Sequence, residues 1–280
     1  MAARNYITDA ANTWCEGCGN FSILHSVKRI VEEFEEEGVG PEQIVLVTGI
    51  GCHAKIADYL NINTLYSLHG RALPFATGIK IANPELKVIC CVGDGDSYAE
   101  GLEHLLFAAK RNIDMTVIVH DNRVYGLTTG QYTPTSPDSY HGKTNPPDGN
   151  DIPFNPLKLM LCSGATFIGR GYTGRIDHLR DLIKAGMSHR GFSFIETLQI
   201  CASFYNKTEF YDGHVYDYDG DVGDPGSAFA AASEWDYNGD SPIPLGLIYR
   251  AEREIFEERF GYDTPDPEIR RKAVLKYLGR

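Results

Sequence analysis

The chain has 280 residues, 42% of them hydrophobic and 23% charged, an ordinary balance for a folded protein with a large core. Its formal net charge of -12 excludes a nucleic-acid backbone as partner, since that needs clustered Lys and Arg. The N-terminal stretch has no apolar core and no run of eighteen apolar residues follows it, so secretion and membrane spanning are not expected and a cytoplasmic location is.

Seven cysteines, an odd number, fit a reducing compartment, where thiols serve metals or chemistry more often than disulfides. Two of them open the chain order in WCEGCGNF (14–21). Cys15 and Cys18 at that spacing admit a redox couple, half of a metal site or a disulfide. The spacing of Leu24, Val27, Val31 and Phe34 then predicts a helix over 20–37, with Asn20 as N-cap and Gly38 just past the end. Glu35, Glu36 and Glu37 close that helix against its dipole, for which the sequence offers no reason.

Apolar β-branched runs predict strands at 44–50, 64–68, 88–93, 115–121, 166–171 and 192–200. Between the third and fourth, Leu102, Leu105, Leu106 and Ala109 give a helix over 98–110. Residues 133–156 hold six prolines and read as a long loop near a site. Residues 203–245 read as loop-rich, and two helices, 246–260 and 267–278, close the chain. The acidic run FEEEGVGPEQ and the Tyr, Asp and Gly-rich stretch 205–240 read as solvated surface. A calcium loop in DYDGDVGD fails because its glycine stands at the wrong position.

Strands alternating with helices give an α/β fold class: a parallel sheet flanked by helices, with an irregular C-terminal extension. The division expected is a binding domain over 1–203 and an extension over 204–280.

The third strand runs into VGDGDSYAE. A glycine turn at Gly93 and Gly95 leading to a helix N-terminus makes an anion site. Asp94 would repel a phosphate unless a hard cation lay between them, which implies Mg2+ or Ca2+. Ser97 and Glu100 also match a capping box, the structural alternative. The next strand ends in HDNRVYG, and consecutive parallel strands end on one edge. Asn122 can therefore offer its amide oxygen, and Val124 its carbonyl, to the same cation.

The GDG followed by Asn one helix and one strand later is the thiamine diphosphate motif. Its form here, VGDGDSYAEGLEHLLFAAKRNIDMTVIVHDNRVYGLTTGQYTPTSP, with WCEGCGNF, GIGCHAK (49–55) and HGRALPFATGIKIANP (69–84), resembles the beta subunit of 2-oxoacid:ferredoxin oxidoreductases over about residues 12–206. The resemblance implies thiamine diphosphate and Mg2+ as cofactors. Their contacts would fall on Gly51, Cys52, His53, His69, Gly70, Gly93, Asp94, Gly95, Asp96, Asn122, Val124, Gly126, Leu127 and Thr128.

Cys52 joins Cys15 and Cys18, and a closed site needs a fourth thiol. Cys90 and Cys91 lie inside an apolar strand and Cys162 ends a helical stretch, so all three read as small buried hydrophobes. Cys201, after the last strand, is the choice. Four thiolates admit zinc or an iron–sulfur cluster; the resemblance favours a 4Fe4S cluster. It also brings His69 to the cofactor and Lys55 to a substrate carboxylate as catalytic candidates, where the plain readings are a strand-end contact and a solvated helix residue.

The activity implied is oxidative decarboxylation of a 2-oxoacid to acyl-CoA and CO2, with electrons passing through the cluster to ferredoxin. The chain lacks a pyrimidine-binding half, so a separate alpha subunit and an (αβ)2 hetero-oligomer are expected. The short, undivided chain with GLTTGQ looks closer to the 2-oxoglutarate-type enzymes of the family than to the pyruvate ones. Alternatives are a non-redox thiamine decarboxylase with structural zinc, or an electron-transfer subunit without thiamine, which Asp94 and Asn122 disfavour.

Overall fold

Strands that are apolar along their whole length need cover on both faces, and the computed structural model provides it. It describes residues 4–142, 151–260 and 267–279. In chain order the elements are α1 (Asn20–Glu36), β1 (Ile44–Thr48), α2 (Ile56–Tyr59), β2 (Asn63–Tyr66), α3 (Ala72–Ala82), β3 (Lys87–Gly93), α4 (Leu102–Arg111), β4 (Met115–Asp121), α5 (Pro156–Ser163), β5 (Phe167–Tyr172), α6 (Ile176–Ser188), β6 (Phe192–Leu198), α7 (Thr208–His214), β7 (Val215–Asp217), α8 (Pro225–Glu234), β8 (Ile243–Arg250) and α9 (Pro267–Tyr277).

Among the described residues the eight strands form one sheet in the order β2-β1-β3-β4-β6-β5-β8-β7. Every pairing is parallel except β5 with β8. One face packs on α1 and α6 through Ile23, Val27, Ile30, Leu179 and Ile183. The other packs on α3, α4, α5 and α8 through Leu73, Leu105, Leu157 and Ala228. Alternation along β3 sends Cys90 to one layer and Cys91 to the other. Among the described residues no helix is long and apolar enough to cross a membrane.

The α/β class and its six predicted strands stand, and the differences from the sequence reading are local. Asn20 is the first helical residue rather than the cap, which is Gly19 with no side-chain bond. The helix expected from 98 begins as a π-turn over Asp96–Glu100, and α4 starts only at Leu102. Its capping box does not form, because Ser97 Oγ donates backwards to the Gly93 carbonyl at 2.7 Å. Cys162 is exposed rather than buried. The glutamates at the end of α1 gain a partner that lies far off in sequence: Lys184 on α6 reaches Glu33 at 2.9 Å and Glu37 at 2.7 Å.

The C-terminal third departs most. Residues 246–250, expected as helix, belong to β8, which closes the open edge of β5 where an unpaired strand would otherwise face water. The stretch 205–240, expected as solvated loop, contributes α7, β7 and α8 and buries Tyr211, Trp235 and Tyr237 in an aromatic cluster with Tyr172 and Leu198. Asp224 of the rejected calcium loop caps α8, accepting from Ser227 N at 2.8 Å.

Behind that cluster Arg170 and Glu196 are both fully buried, with Nε 2.6 Å from Oε2. Tyr237 closes the triangle, donating to Glu196 Oε1 at 2.6 Å and accepting from Arg170 at 2.8 Å. Removing one member strands a buried charge. Arg170→Met is therefore expected to destabilise the fold by about 3–5 kcal/mol, read as a lower urea midpoint at unchanged slope.

Candidate functional site

Because β1, β3 and β4 are adjacent and parallel, their carboxyl ends share one edge, where ligands gather in open α/β sheets. A cavity of about 80 Å³ opens there. Its walls are residues 51–53 after β1, His69 after β2, residues 93–96 after β3, and Asn122, Val124 and residues 126–128 after β4. Gly70 stands just outside, its N–H donating to Asp96 Oδ1 at 2.6 Å. The cofactor residues expected from the sequence thus converge on one place.

The glycines there supply space more than unusual dihedrals. Gly95 has ordinary helical φ of -62°, yet a Cβ on it would fall inside the Tyr125 ring, and one on Gly93 would come 2.7 Å from His53 Nδ1. Gly70 is different: at φ +69° a side chain would be strained and would meet the Glu100 backbone at 2.5 Å.

Two buried carboxyls lie side by side beneath the cavity. Asp94 Oδ2 accepts from Thr133 Oγ1 at 2.5 Å and Thr135 Oγ1 at 3.3 Å, and Thr135 also donates to Asp121 Oδ1 when turned the other way, at 2.7 Å. Burial pushes the Asp94 carboxyl up to about 6, against the Thr133 bond that lowers it. Burial and then the charge of Asp94 push Asp121 well above the usual range. Asp121 Oδ2 has no hydrogen-bond partner, and burial disfavours the ionised form of both carboxyls, with Arg123 partly offsetting this at Asp121.

Asp96 behaves oppositely. Burial works to raise it, but contacts from His53 and His69 outweigh that and hold it below the usual carboxylate range. His53 Nε2 lies 3.3 Å and His69 Nδ1 3.2 Å from its oxygens. Hydrogen bonding from His53 and then His69 is the main influence that lowers Asp96, ahead of the His53 charge. In return the Asp96 contact raises the His69 pKa.

Between Asn122 and Val124 the backbone of Arg123 is left-handed, with φ 63°, a strained state for a long side chain. The buried guanidinium enforces it. Its Nε donates to the Thr135 carbonyl at 2.7 Å, its Nη2 to the Tyr237 carbonyl, and it lies 5.1 Å over the Trp235 ring. The C-terminal extension thereby holds the turn that presents Asn122 and Val124.

The second cavity, about 170 Å³, is lined by Cys15, Cys18, Cys52 and Cys201 together with Lys55, Asn20 and Gln199. The Cys15–Cys18 turn is tied to the end of β6 by Gly19 N donating to the Ile200 carbonyl at 3.0 Å. Trp14 Nε1 donates to the Cys52 carbonyl at 2.6 Å and joins the other two segments. Burial raises Cys18 to about 11, and the neighbouring Cys201, Cys52 and Cys15 add to it. Burial also raises Cys52, which Lys55 partly offsets. The two cavities share Cys52, Asn122, Gly126 and Leu127. A Cβ on Gly126 would lie 3.6 Å from Cys52 Sγ and 3.8 Å from Cys201 Sγ. Among the described residues no three His, Cys, Asp or Glu side chains are gathered for a single metal ion.

Sequence reading missed Ile50 and Tyr125 in the first cavity, Thr133 and Thr135 on Asp94, and the role of Arg123. Only TPTSP, a Thr-x-Thr in a loop already marked as site-forming, carried a signal.

Residues 49–197 match the thiamine pyrophosphate enzyme C-terminal TPP-binding domain, and residues 201–262 match the C-terminal region of the pyruvate ferredoxin oxidoreductase beta subunit. The chain is 36% identical to subunit beta of 2-oxoacid:ferredoxin oxidoreductase 1 from Aeropyrum pernix, over 100% of this chain and 92% of that one. It is 39% identical to the corresponding beta subunit from Saccharolobus solfataricus, over 91% and 87% of the two chains. Among solved structures, 2-oxoglutarate:ferredoxin oxidoreductase from Magnetococcus marinus, with 2-oxoglutarate, coenzyme A and succinyl-CoA bound, superposes with a TM-score of 0.86 at 32% identity, covering 96% of this chain and 94% of that one.

Proposed function

Since the chain belongs to the beta-subunit family of the 2-oxoacid:ferredoxin oxidoreductases, we propose that it oxidatively decarboxylates 2-oxoglutarate to its acyl-CoA, passing electrons through a 4Fe4S cluster to ferredoxin. The observation that carries this reading is the shared wall of the two cavities, with Cys52 in both. Pyruvate is the competing substrate.

The residues fit the groups required. Asp94, the Asn122 amide oxygen and the Val124 carbonyl would hold Mg2+, and a divalent ion there would favour the ionised Asp94 carboxylate that burial otherwise disfavours. Cys15, Cys18, Cys52 and Cys201 would hold the cluster. Zinc fits less well, because a structural zinc gathers four ligands around one ion and no three such side chains are gathered that way among the described residues. When bound, thiamine diphosphate supplies the electron sink for decarboxylation and the cluster a one-electron relay.

His69 Nδ1 faces Asp96 and Glu100, at 3.2 and 3.3 Å, and so keeps its proton above the ordinary histidine range. A proton held there gives the cavity mouth a cation for an anionic substrate. Lys55 lines the thiol cavity, where its charge offsets Cys52; a role toward the substrate carboxylate needs a substrate that reaches across Cys52. Because the His69 pKa is raised, its contribution is fully present below the ordinary histidine value and lost as pH rises through the raised one. His69→Gln is expected to lower kcat by about 10²–10⁴-fold and to remove the corresponding alkaline limb of the kcat profile.

The rim of the first cavity exposes Leu127 and Ile50, a surface suited to the alpha subunit that would supply the pyrimidine-binding half. The test is anaerobic reconstitution with that subunit, with ferredoxin reduction followed on 2-oxoglutarate and on pyruvate. The proposal expects turnover only in the complex and faster on 2-oxoglutarate. Turnover by this chain alone, or a preference for pyruvate, would overturn the corresponding part.

A further inference from the structure

We infer that Asn20 and Gln199 are positioning residues that set the reduction potential of the cluster by donating amide hydrogens to its sulfurs. This rests on the cluster assignment proposed above and adds to it two side chains that carry no ligand atom.

Asn20 is 1% exposed and Gln199 2%, and both line the thiol cavity. Gln199 Nε2 lies 3.5 Å from Cys18 Sγ while also donating to the Ile200 carbonyl at 2.5 Å. Asn20 turns its Oδ1 to His120 Nδ1 at 2.8 Å. With the His120 proton on Nδ1, Oδ1 accepts it and Asn20 Nδ2 is left buried with no partner. An unpartnered amide donor in a low-dielectric pocket costs free energy unless something accepts from it. Four cysteine sulfurs line this cavity as acceptors, beside the side-chain oxygens of Thr13, Asn122, Gln199 and Ser203.

The position of both residues follows from the fold. Asn20 opens α1 immediately after the Cys15–Cys18 turn, and Gln199 leaves β6 two residues before Cys201. Each therefore sits beside a ligand on a rigid element, which is where outer partners tune a metal centre. An N–H···S bond stabilises the more negative, reduced cluster and so raises the potential. Removing it makes the cluster harder to reduce.

The experiment uses the assembled enzyme and compares wild type, Gln199→Met and Asn20→Leu, with Cys162→Ser as a distant control. Iron and sulfide are assayed first, and midpoint potentials are then read from redox titrations followed by electron paramagnetic resonance. Each amide variant is expected to keep its cluster and to shift the midpoint downward by about tenfold in the reduction equilibrium, 59 mV for one electron; the control does not shift. Full clusters with unchanged midpoints in both variants would overturn the inference. So would cluster loss in both, which would make the amides scaffolding. Absence of iron from the wild type would instead sink the cluster assignment itself, so the two failures are distinguishable.

Discussion

Asp94→Ala is expected to abolish turnover and weaken Mg2+-dependent thiamine diphosphate binding by more than about 100-fold, because losing even an outer partner of a ligand costs about 10–100-fold in metal affinity. Calorimetric titration of the cofactor with Mg2+ reads the loss, and the iron content should stay at the wild-type level. The isosteric Asp94→Asn, which keeps an acceptor for Thr133, should not weaken the cofactor-free fold. Folding raises the Asp94 pKa from the ordinary carboxylate value to about 6, so the folded chain binds that proton more tightly than the unfolded one. Stability from this group is thus present at low pH and lost as pH rises through about 6. Asp94→Asn removes that cost, and above pH 6 its cofactor-free form should melt higher than wild type. A site that gains stability when its ligand is deleted is tuned for binding rather than for folding. Undiminished cofactor affinity in Asp94→Ala would refute the assignment.

The legible part of this site lay where chemistry dictates short local patterns. Gly93, Asp94 and Gly95 at a strand end, Asn122 at the next, and the Cys15–Cys18 pair announce themselves because one edge of a parallel sheet collects consecutive strand ends. What stayed hidden was held by partners distant in sequence. Thr133 and Thr135 reach Asp94 across 39 and 41 residues, and Arg123 is locked by Tyr237 across 114 residues. No local periodicity encodes such contacts. The misread C-terminal third has the same cause: residues 246–250 pair as strand because β5 has an open edge, and that non-local pairing outweighs the helical pattern. The reading of residues 205–240 as solvated surface failed because tyrosines between aspartates look polar until Trp235 stacks on Tyr237 at 4.2 Å.

The thiol cavity should fail independently of the cofactor cavity. Cys201 lines the former and not the latter, so Cys201→Ala is expected to lose the iron, the dithionite-bleachable visible absorption and ferredoxin reduction, while thiamine diphosphate binding persists within about threefold. The small residue removed limits the structural damage, since deleting one buried sulfur costs only about 1 kcal/mol by analogy with small core truncations. Cys162→Ala, on an exposed side chain, should change none of these. Paired with Asp94→Ala, the result separates the two halves of the machine: one variant keeps iron and loses thiamine, the other keeps thiamine and loses iron. Cys52 belongs to both walls, so its replacement should lose iron and also perturb cofactor affinity. If Cys201→Ala kept full iron and colour, the fourth ligand would have to come from elsewhere. Among the described residues, Cys90 and Cys91 are sealed in opposite core layers and cannot reach the cavity without unfolding β3.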